Sequence, residues 1–417
     1  MNYTVNPFID YEGIIQIPPS KSDSQRAILA ASLAKGTSIV RNMGICKDEL
    51  AMLAVVQKLG AIVQKKEGEL HITGINSIPH AIEVNIGESG LAARLLSGVF
   101  ACSDGMQHII GEGSVLKRKM AFFFKHQEVL NSQVASEENF GLPLIFKNKI
   151  QTNDIIVNGG ESSQDVSGLL YGLCTLHQPI GLRVLHLKSR PYLQMTLNVL
   201  SNFGIDITHQ NFEYFFIPAN EGLQAANYTI EGDWSSASFW LVASALGKNI
   251  SVEGLQLNSL QADKQLLNIL LSANCSEVRS QFLMMDGESR MPLDCDLINS
   301  PDLFPALTAY AALTPGTSRL LGVHRLFNKE SNRADALIAE FSKLGVDLWL
   351  ENDTLVIEGK EHIYGGTVNA HNDHRIAMCL AVAGMFATEP LIVENAESVA
   401  KSYPQFWEHL EQIKTSN

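Results

Sequence analysis

Asn332-Arg333-Ala334-Asp335 leads through Leu337, Ile338, Phe341 and Leu344 to Gly345-Val346-Asp347-Leu348, and this stretch decides the fold. Apolar residues three and four apart mark a helix with one buried face. The glycine after the last apolar turn suits a left-handed C-cap, and a strand begins at once. A second strand follows a polar turn, Glu351-Asn352-Asp353, as Thr354-Leu355-Val356-Ile357. The unit, a helix followed by a strand pair, recurs. Asp48-Glu49-Leu50 runs through Leu53, Val56 and Leu59 to Gly60-Ala61-Ile62-Val63, and Tyr192 runs through Met195, Leu197 and Leu200 to Phe203-Gly204-Ile205-Asp206-Ile207. A degraded copy runs from Ala262-Asp263 through Leu266, Leu267 and Leu270 toward Val278. Repetition across the whole length predicts related subdomains rather than one wound sheet.

The chain has 417 residues, too many for one ordinary core, so two domains or a repeat array are expected. Hydrophobic residues make up 46% and charged residues 18%, a globular composition. A net charge of −13 argues against nucleic acid or an anionic membrane as partner, so an anionic substrate would need cations concentrated locally. Six scattered cysteines without Cys-x-x-Cys suit reduced, buried thiols in a cytosolic protein better than disulfides or a zinc site. Met1-Asn2-Tyr3-Thr4 lacks the basic-then-apolar pattern of a signal peptide, and apolar stretches such as 376–386 are too short to span a bilayer. A cytoplasmic protein is expected, with residues 131–139 as a polar surface loop.

Around these units lie helix starts rich in serine and glycine. In Ile17-Pro18-Pro19-Ser20-Lys21-Ser22-Asp23-Ser24-Gln25-Arg26-Ala27-Ile28-Leu29, the prolines end an extended segment and Ser20, Ser22 or Asp23 can cap a helix. Lys21 and Arg26 then flank a helix N-terminus, where backbone N–H groups and the dipole favour an anion. Gly87-Glu88-Ser89-Gly90, Gly159-Gly160-Glu161-Ser162-Ser163-Gln164 and Glu231-Gly232-Asp233-Trp234-Ser235-Ser236 have the same character. Taken singly, each reads more readily as an ordinary N-cap.

Taken together they do not. Pro19-Ser20-Lys21-Ser22 through Arg26, Gly87 to Arg94, Gly113 to Arg118, Ser162-Ser163-Gln164, Ser189-Arg190-Pro191-Tyr192 and Glu231-Gly232-Asp233 stand in one order with Pro301-Asp302, Lys329-Glu330-Ser331-Asn332-Arg333, Asn372-Asp373-His374-Arg375 and Lys401-Ser402-Tyr403-Pro404. With these motifs the chain resembles the enolpyruvyl transferases over nearly its whole length, and within them the branch acting on shikimate 3-phosphate. The resemblance implies an α/β (α+β type) fold of two similar domains, each of three βαβαββ-type repeats (an inside-out α/β barrel). The active site would lie in an interdomain cleft that closes on substrate. It implies one domain over 20–230 and a discontinuous one over 1–19 plus 231–417.

The activity implied is transfer of the enolpyruvyl group of phosphoenolpyruvate to the 5-hydroxyl of shikimate 3-phosphate, through addition and elimination, with no cofactor, no metal and a monomeric enzyme. Lys21, Asp302 and Glu330 would be catalytic, Asp302 accepting from the sugar-like hydroxyls and Glu330 or Lys21 moving protons. Lys21, Ser22, Arg26, Ser162, Ser163, Gln164, Ser189, Tyr192, Asp302 and Lys329 would hold shikimate 3-phosphate. Lys21, Gly90, Arg118, Gln164, Arg333, Arg375 and Lys401 would hold phosphoenolpyruvate, Gly90 through close backbone approach. To donate a proton near neutral pH, Glu330 would need a raised pKa in the ternary complex.

The chain departs from the family where Glu88-Ser89-Gly90-Leu91 replaces Asn-Ala-Gly-Thr and Lys119 replaces a proline. A carboxylate at Glu88 would weaken phosphoenolpyruvate or exclude anionic analogues, unless it turns outward and caps its helix; the second is expected. His371, Asp373 and His374 lack a standard zinc spacing, so Asp373 and His374 are expected to orient Arg375 and cap its helix. Two rivals stay open: the sister enzyme acting on UDP-N-acetylglucosamine, which characteristically has Lys-Asn where this chain has Lys21-Ser22, and a catalytically silent homologue that binds phosphorylated ligands.

Overall fold

The computed structural model describes residues 1–136, 140–279 and 282–415. The chain divides into two compact units, one of Pro19–Glu231 and one of Met1–Pro18 with Gly232–Asn417.

In the first unit, three helices, Lys21–Leu33, Gly90–Ala101 and Ser163–Cys174, are buried along nearly their whole length. Past their polar opening turns, small and apolar residues run all round each helix and leave no polar face for water. The second and third cross at glycine: a Cβ on Gly98 would lie 1.9 Å from the carbonyl carbon of Gly168, and one on Gly172 would lie 2.0 Å from the Gly98 oxygen.

Outside these helices stand three four-stranded sheets of one design. Ala81–Asn85 runs parallel to Met106–Ile110, which pairs antiparallel with Leu144–Phe146, itself antiparallel to Val134–Ser136. Asp154–Asn158, Ile180–Leu185, Tyr214–Ile217 and Thr208–Gln210 repeat the pattern. The third sheet begins with Asn227–Thr229, from the end of the segment, beside Thr37–Arg41, Glu69–Thr73 and Ile62–Lys66. The expected helix–glycine–strand pairs are the outer half of the last two sheets, where Gly204 and Gly60 hold φ of +88° and +109° at the helix ends, and Gly345 repeats this at +83° in the second unit; in the first sheet Asn131, at φ 47°, takes the glycine's place. Val134–Ser136 corrects the reading of 131–139 as a loop, since it supplies an edge strand against Leu144–Phe146; residues 137–139 lie outside the described residues.

The second unit buries Trp234–Ala245, Phe304–Ala312 and His374–Gly384 in the same way. Asp294–Asp296, Gly316–Leu321, Thr354–Gly359 and Asp347–Glu351 form a sheet of the same order. In another, the N-terminal strand Asp10–Gln16 lies parallel to Asn249–Glu253, with Leu283–Asp286 and Ser276–Arg279 beyond. The last sheet differs: Gly366–Asn369 and Leu391–Glu394 are joined by Asn2–Val5 instead of a following strand pair. The chain is thus mixed α/β, two units of helices inside and sheets outside. At the passage between units, Asp233 N–H donates to Pro18 at 2.9 Å and Ser20 N–H donates to Glu231 at 2.8 Å.

Candidate active site

In the first unit the N-termini of the three buried helices come together. Ser20 caps the first, its Oγ accepting from Asp23 N–H at 3.4 Å. Ser89 caps the second, accepting from Ala92 N–H at 3.2 Å while donating to Gln25 Oε1 at 2.7 Å, which ties the first two starts together. Ser162 caps the third, accepting from Gln164 N–H at 3.2 Å. Arg94 joins the last two, with Nη1 donating to Gly90 O at 3.1 Å and to Gln164 Oε1 at 3.4 Å, and Nε 3.5 Å from Asp165 Oδ1. Burial pushes Asp165 up to about 6 against the pull of Arg94. Three helix dipoles and their first-turn N–H groups therefore favour negative charge at one place.

Cations surround it. Lys21 Nζ lies 3.0 Å from Asp48 Oδ2, on a side chain only 5% exposed. Arg26 is buried, donating from Nε to Thr196 Oγ1 at 2.8 Å, from Nη1 to Ser22 O at 2.9 Å and from Nη2 to Tyr192 O at 3.3 Å. Ser189, buried and in the left-handed region at φ 52°, starts the Arg190–Asn202 helix that carries Tyr192. The Arg118 guanidinium packs on Gly90: a Cβ there would meet Arg118 Nη1 at 2.7 Å.

The second unit holds a network centred on Arg333. Its Nη1 donates to Asp302 Oδ1 at 2.7 Å, Nη2 to Glu330 Oε2 at 2.7 Å and Nε to Asp373 Oδ2 at 2.8 Å. Asp302 also takes Lys329 Nζ at 3.1 Å and Arg375 Nη2 at 3.1 Å. Burial opposes ionisation of Asp302, but Arg375, Lys329 and Arg333 outweigh it and hold its carboxyl well below the usual range. Burial lowers the Lys329 ammonium despite Asp302. Asp263, buried and accepting from Ser235 Oγ, is pushed up to about 6, first by burial and then by Asp302. Asp373 caps the His374–Gly384 helix, its Oδ1 accepting from Arg375 N–H at 3.0 Å. Lys401 ends a separate 3-10 helix, Ala396–Lys401, and is buried.

The network thus gathers Asp302, Lys329, Glu330, Arg333 and Arg375 in one unit. The helix starts gather Ser22, Arg26, Gly90, Arg118, Ser162, Ser163 and Gln164 in the other, with Lys21 at the first start and Ser189 and Tyr192 beside Arg26. Sequence reading missed the carboxylate partners Asp48 and Asp165 and the buried Asp263. Asp48 opened a repeat copy and carried a signal as an acidic residue in a first helical turn. Asp263, at the head of the degraded copy, carried the same weak signal, but nothing local shows that it is buried. His371 Nε2 lies 2.8 Å from Glu340 Oε1, and among the described residues no group of His, Cys, Asp or Glu is arranged to hold a metal. Glu88 corrects its expectation. Ser89 caps the helix, whereas Glu88 Oε2 accepts from Ser114 N–H at 2.8 Å in the loop before Arg118, because a backbone donor lies within its reach there. Lys119 is exposed.

Residues 5–410 match the family EPSP synthase (3-phosphoshikimate 1-carboxyvinyltransferase). A 3-phosphoshikimate 1-carboxyvinyltransferase of Clostridium kluyveri is 34% identical, over 98% of this chain and 96% of its own. One from Clostridium perfringens is 35% identical, over 96% of each. Among solved structures, an EPSP synthase from Acinetobacter baumannii superposes with a TM-score of 0.81 at 24% identity, over 99% of this chain and 98% of the other, and so shares the fold. The match over residues 5–410 and relatives at 34–35% identity place the chain among the enolpyruvyl transferases. Within that class, the chain belongs to the EPSP synthase family.

Proposed function

We propose that this chain transfers the enolpyruvyl group of phosphoenolpyruvate to the 5-hydroxyl of shikimate 3-phosphate, releasing phosphate. Family membership over nearly the whole chain carries the reading. The concentration of cations, against a net charge of −13, supports it chemically. Both substrates carry a phosphate and a carboxylate, and charge-assisted hydrogen bonds contribute about 1.5–3 kcal/mol each.

In this reading Ser162, Ser163 and Ser189 take the phosphate of shikimate 3-phosphate, with Lys329 nearby and Tyr192 in support, while Lys21, Ser22, Arg26 and Gln164 also hold that substrate. Gly90, Arg118, Arg333, Arg375 and Lys401 take phosphoenolpyruvate, with Lys21 and Gln164 reaching both. Asp302, ionised and fixed by three cations, accepts from the substrate hydroxyls. The 5-hydroxyl loses its proton as its oxygen bonds to C2 of phosphoenolpyruvate, and the methylene carbon gains a proton. Elimination then takes a proton from that methyl group and expels phosphate. Glu330 and Lys21 are the groups for these transfers. The enzyme acts in the cytoplasm, as a monomer and without a cofactor.

Phosphate release from phosphoenolpyruvate, with shikimate 3-phosphate and UDP-N-acetylglucosamine offered separately, tests the reading. Turnover with shikimate 3-phosphate alone is expected. Turnover with the nucleotide sugar alone would move the chain to the sister activity, and binding of shikimate 3-phosphate without turnover to a silent homologue.

A further inference from the structure

Residues 85–90 and 110–118 are zipped together along one edge. Ile86 N–H donates to Ile110 O at 3.0 Å and Glu112 N–H to Gly87 O at 2.8 Å. Asn85 Nδ2 donates to Glu112 Oε1 at 2.7 Å, and its Oδ1 accepts from Gly87 N–H at 2.8 Å. The last bond of the zipper is Ser114 N–H to Glu88 Oε2 at 2.8 Å, a charge-assisted bond at the start of the 3-10 turn Gly113–Lys117. The carboxylate packs flat on that turn, since a Cβ on Gly113 would lie 2.5 Å from Glu88 Cδ. At the far end of the turn, Arg118 N–H donates to Val115 O at 3.0 Å, and the Arg118 guanidinium folds back over Gly90, two residues beyond Glu88.

The path closes on itself: Glu88 holds the beginning of the turn, and the turn delivers Arg118 to the helix start that Glu88 adjoins. We propose that Glu88 is a positioning residue for phosphoenolpyruvate binding, its carboxylate anchoring the 113–117 turn so that Arg118 stands over Gly90. The proposal rests on the reading of Arg118 as a phosphoenolpyruvate contact. The carboxylate that replaces the family's amide here is directed at backbone rather than at an anionic substrate, and its role is that of an acceptor of fixed reach.

Steady-state kinetics on the full chain tests this with Glu88→Ala, Glu88→Gln, Arg118→Ala and the double variant Glu88→Ala/Arg118→Ala. Glu88→Ala is expected to raise KM for phosphoenolpyruvate about tenfold while kcat and KM for shikimate 3-phosphate stay within about twofold. Glu88→Gln keeps an oxygen for Ser114 N–H and is expected to remain within about threefold of the parent. In the double variant, KM for phosphoenolpyruvate is expected to equal that of Arg118→Ala alone, because one residue acts through the other. Gly113→Ala attacks the same contact from the opposite side and is expected to show the Glu88→Ala signature, which guards against a folding defect in any one variant. An unchanged KM in Glu88→Ala, or additive effects in the double variant, with Arg118→Ala impaired, overturns the positioning role alone. An unchanged KM in Arg118→Ala overturns the reading of Arg118 and the proposal with it.

Discussion

The Arg333 guanidinium and the Asp373 carboxylate meet at 2.8 Å with 1% and 0% of their side chains exposed. The same guanidinium also serves Asp302 and Glu330, so three carboxylates share one planar fork. Removing one partner of a buried ion pair costs about 3–5 kcal/mol, because the remaining charges lose compensation without regaining water. Arg333→Ala is therefore expected to lower unfolding free energy by that order in urea titration. Arg333→Lys keeps the charge but cannot reproduce the fork, and is expected to cut turnover at least about a hundredfold. Parent-like stability in Arg333→Ala would show that solvent reaches the cluster.

Gly90 and Arg118 make a second, local test. A Cβ at residue 90 would stand 2.7 Å from Arg118 Nη1 and 3.1 Å from Arg94 Nη1, both ends of flexible side chains. The chain can relieve such contacts by moving the guanidinium groups, so Gly90→Ala is expected to fold normally. Displacing Arg118 should raise KM for phosphoenolpyruvate by about tenfold, roughly 1.4 kcal/mol, with KM for shikimate 3-phosphate little changed. Equal effects on both substrates would show that Gly90 shapes the helix start rather than one subsite.

Asp23 makes stability depend on pH. Burial raises it to about 6, against the hydrogen bond from Tyr228 Oη at 2.7 Å. The folded state thus holds the proton more tightly than the unfolded chain, where the carboxyl titrates near 3.8. Its contribution is fully present below about 4 and is lost as pH rises through about 6. Between pH values near 5 and 7.5, a shift of this size removes about 1.4 kcal/mol. Asp23→Asn should make the fall in unfolding free energy over that interval shallower by about this amount. Identical pH slopes in parent and variant would place the titration elsewhere.

The periodic features were legible in the chain. Helix–glycine–strand units announce themselves through apolar spacing and a positive-φ glycine, and Gly60, Gly204 and Gly345 each end a helix as read. Cation-bearing motifs were legible because their order along the chain is distinctive. Which acceptor each cation meets was not. Lys21 finds Asp48 across 27 positions, Arg26 finds Thr196 across 170, and Arg375 finds Asp302 across 73. Such pairings are set by how the buried helices register, which no local pattern encodes. Glu88 failed for a related reason: its acceptor role depends on a donor 26 residues away, so a local helix cap was the natural but wrong assignment.

That register is itself testable at Gly98. A Cβ there would stand 1.9 Å from both the carbonyl carbon and oxygen of Gly168 and 2.4 Å from Leu169 N, all backbone atoms that no rotamer change can move. Across the contact, a Cβ built on Gly168 would likewise lie 2.0 Å from Arg94 O. A methyl group at residue 98 must push the Gly90–Ala101 and Ser163–Cys174 helices apart, and overpacking of this kind typically costs about 1–3 kcal/mol or more. Their N-termini carry the Arg94–Gln164 contact, so the separation reaches the helix starts. Gly98→Ala is therefore expected to lower stability by about 3 kcal/mol and to weaken both substrates together. Gly247→Ala is the control, since no atom lies within 4 Å of its Cβ position, although its φ of +108° carries a backbone cost. If Gly98→Ala proved no more destabilising than Gly247→Ala, the two helices would not be in glycine contact.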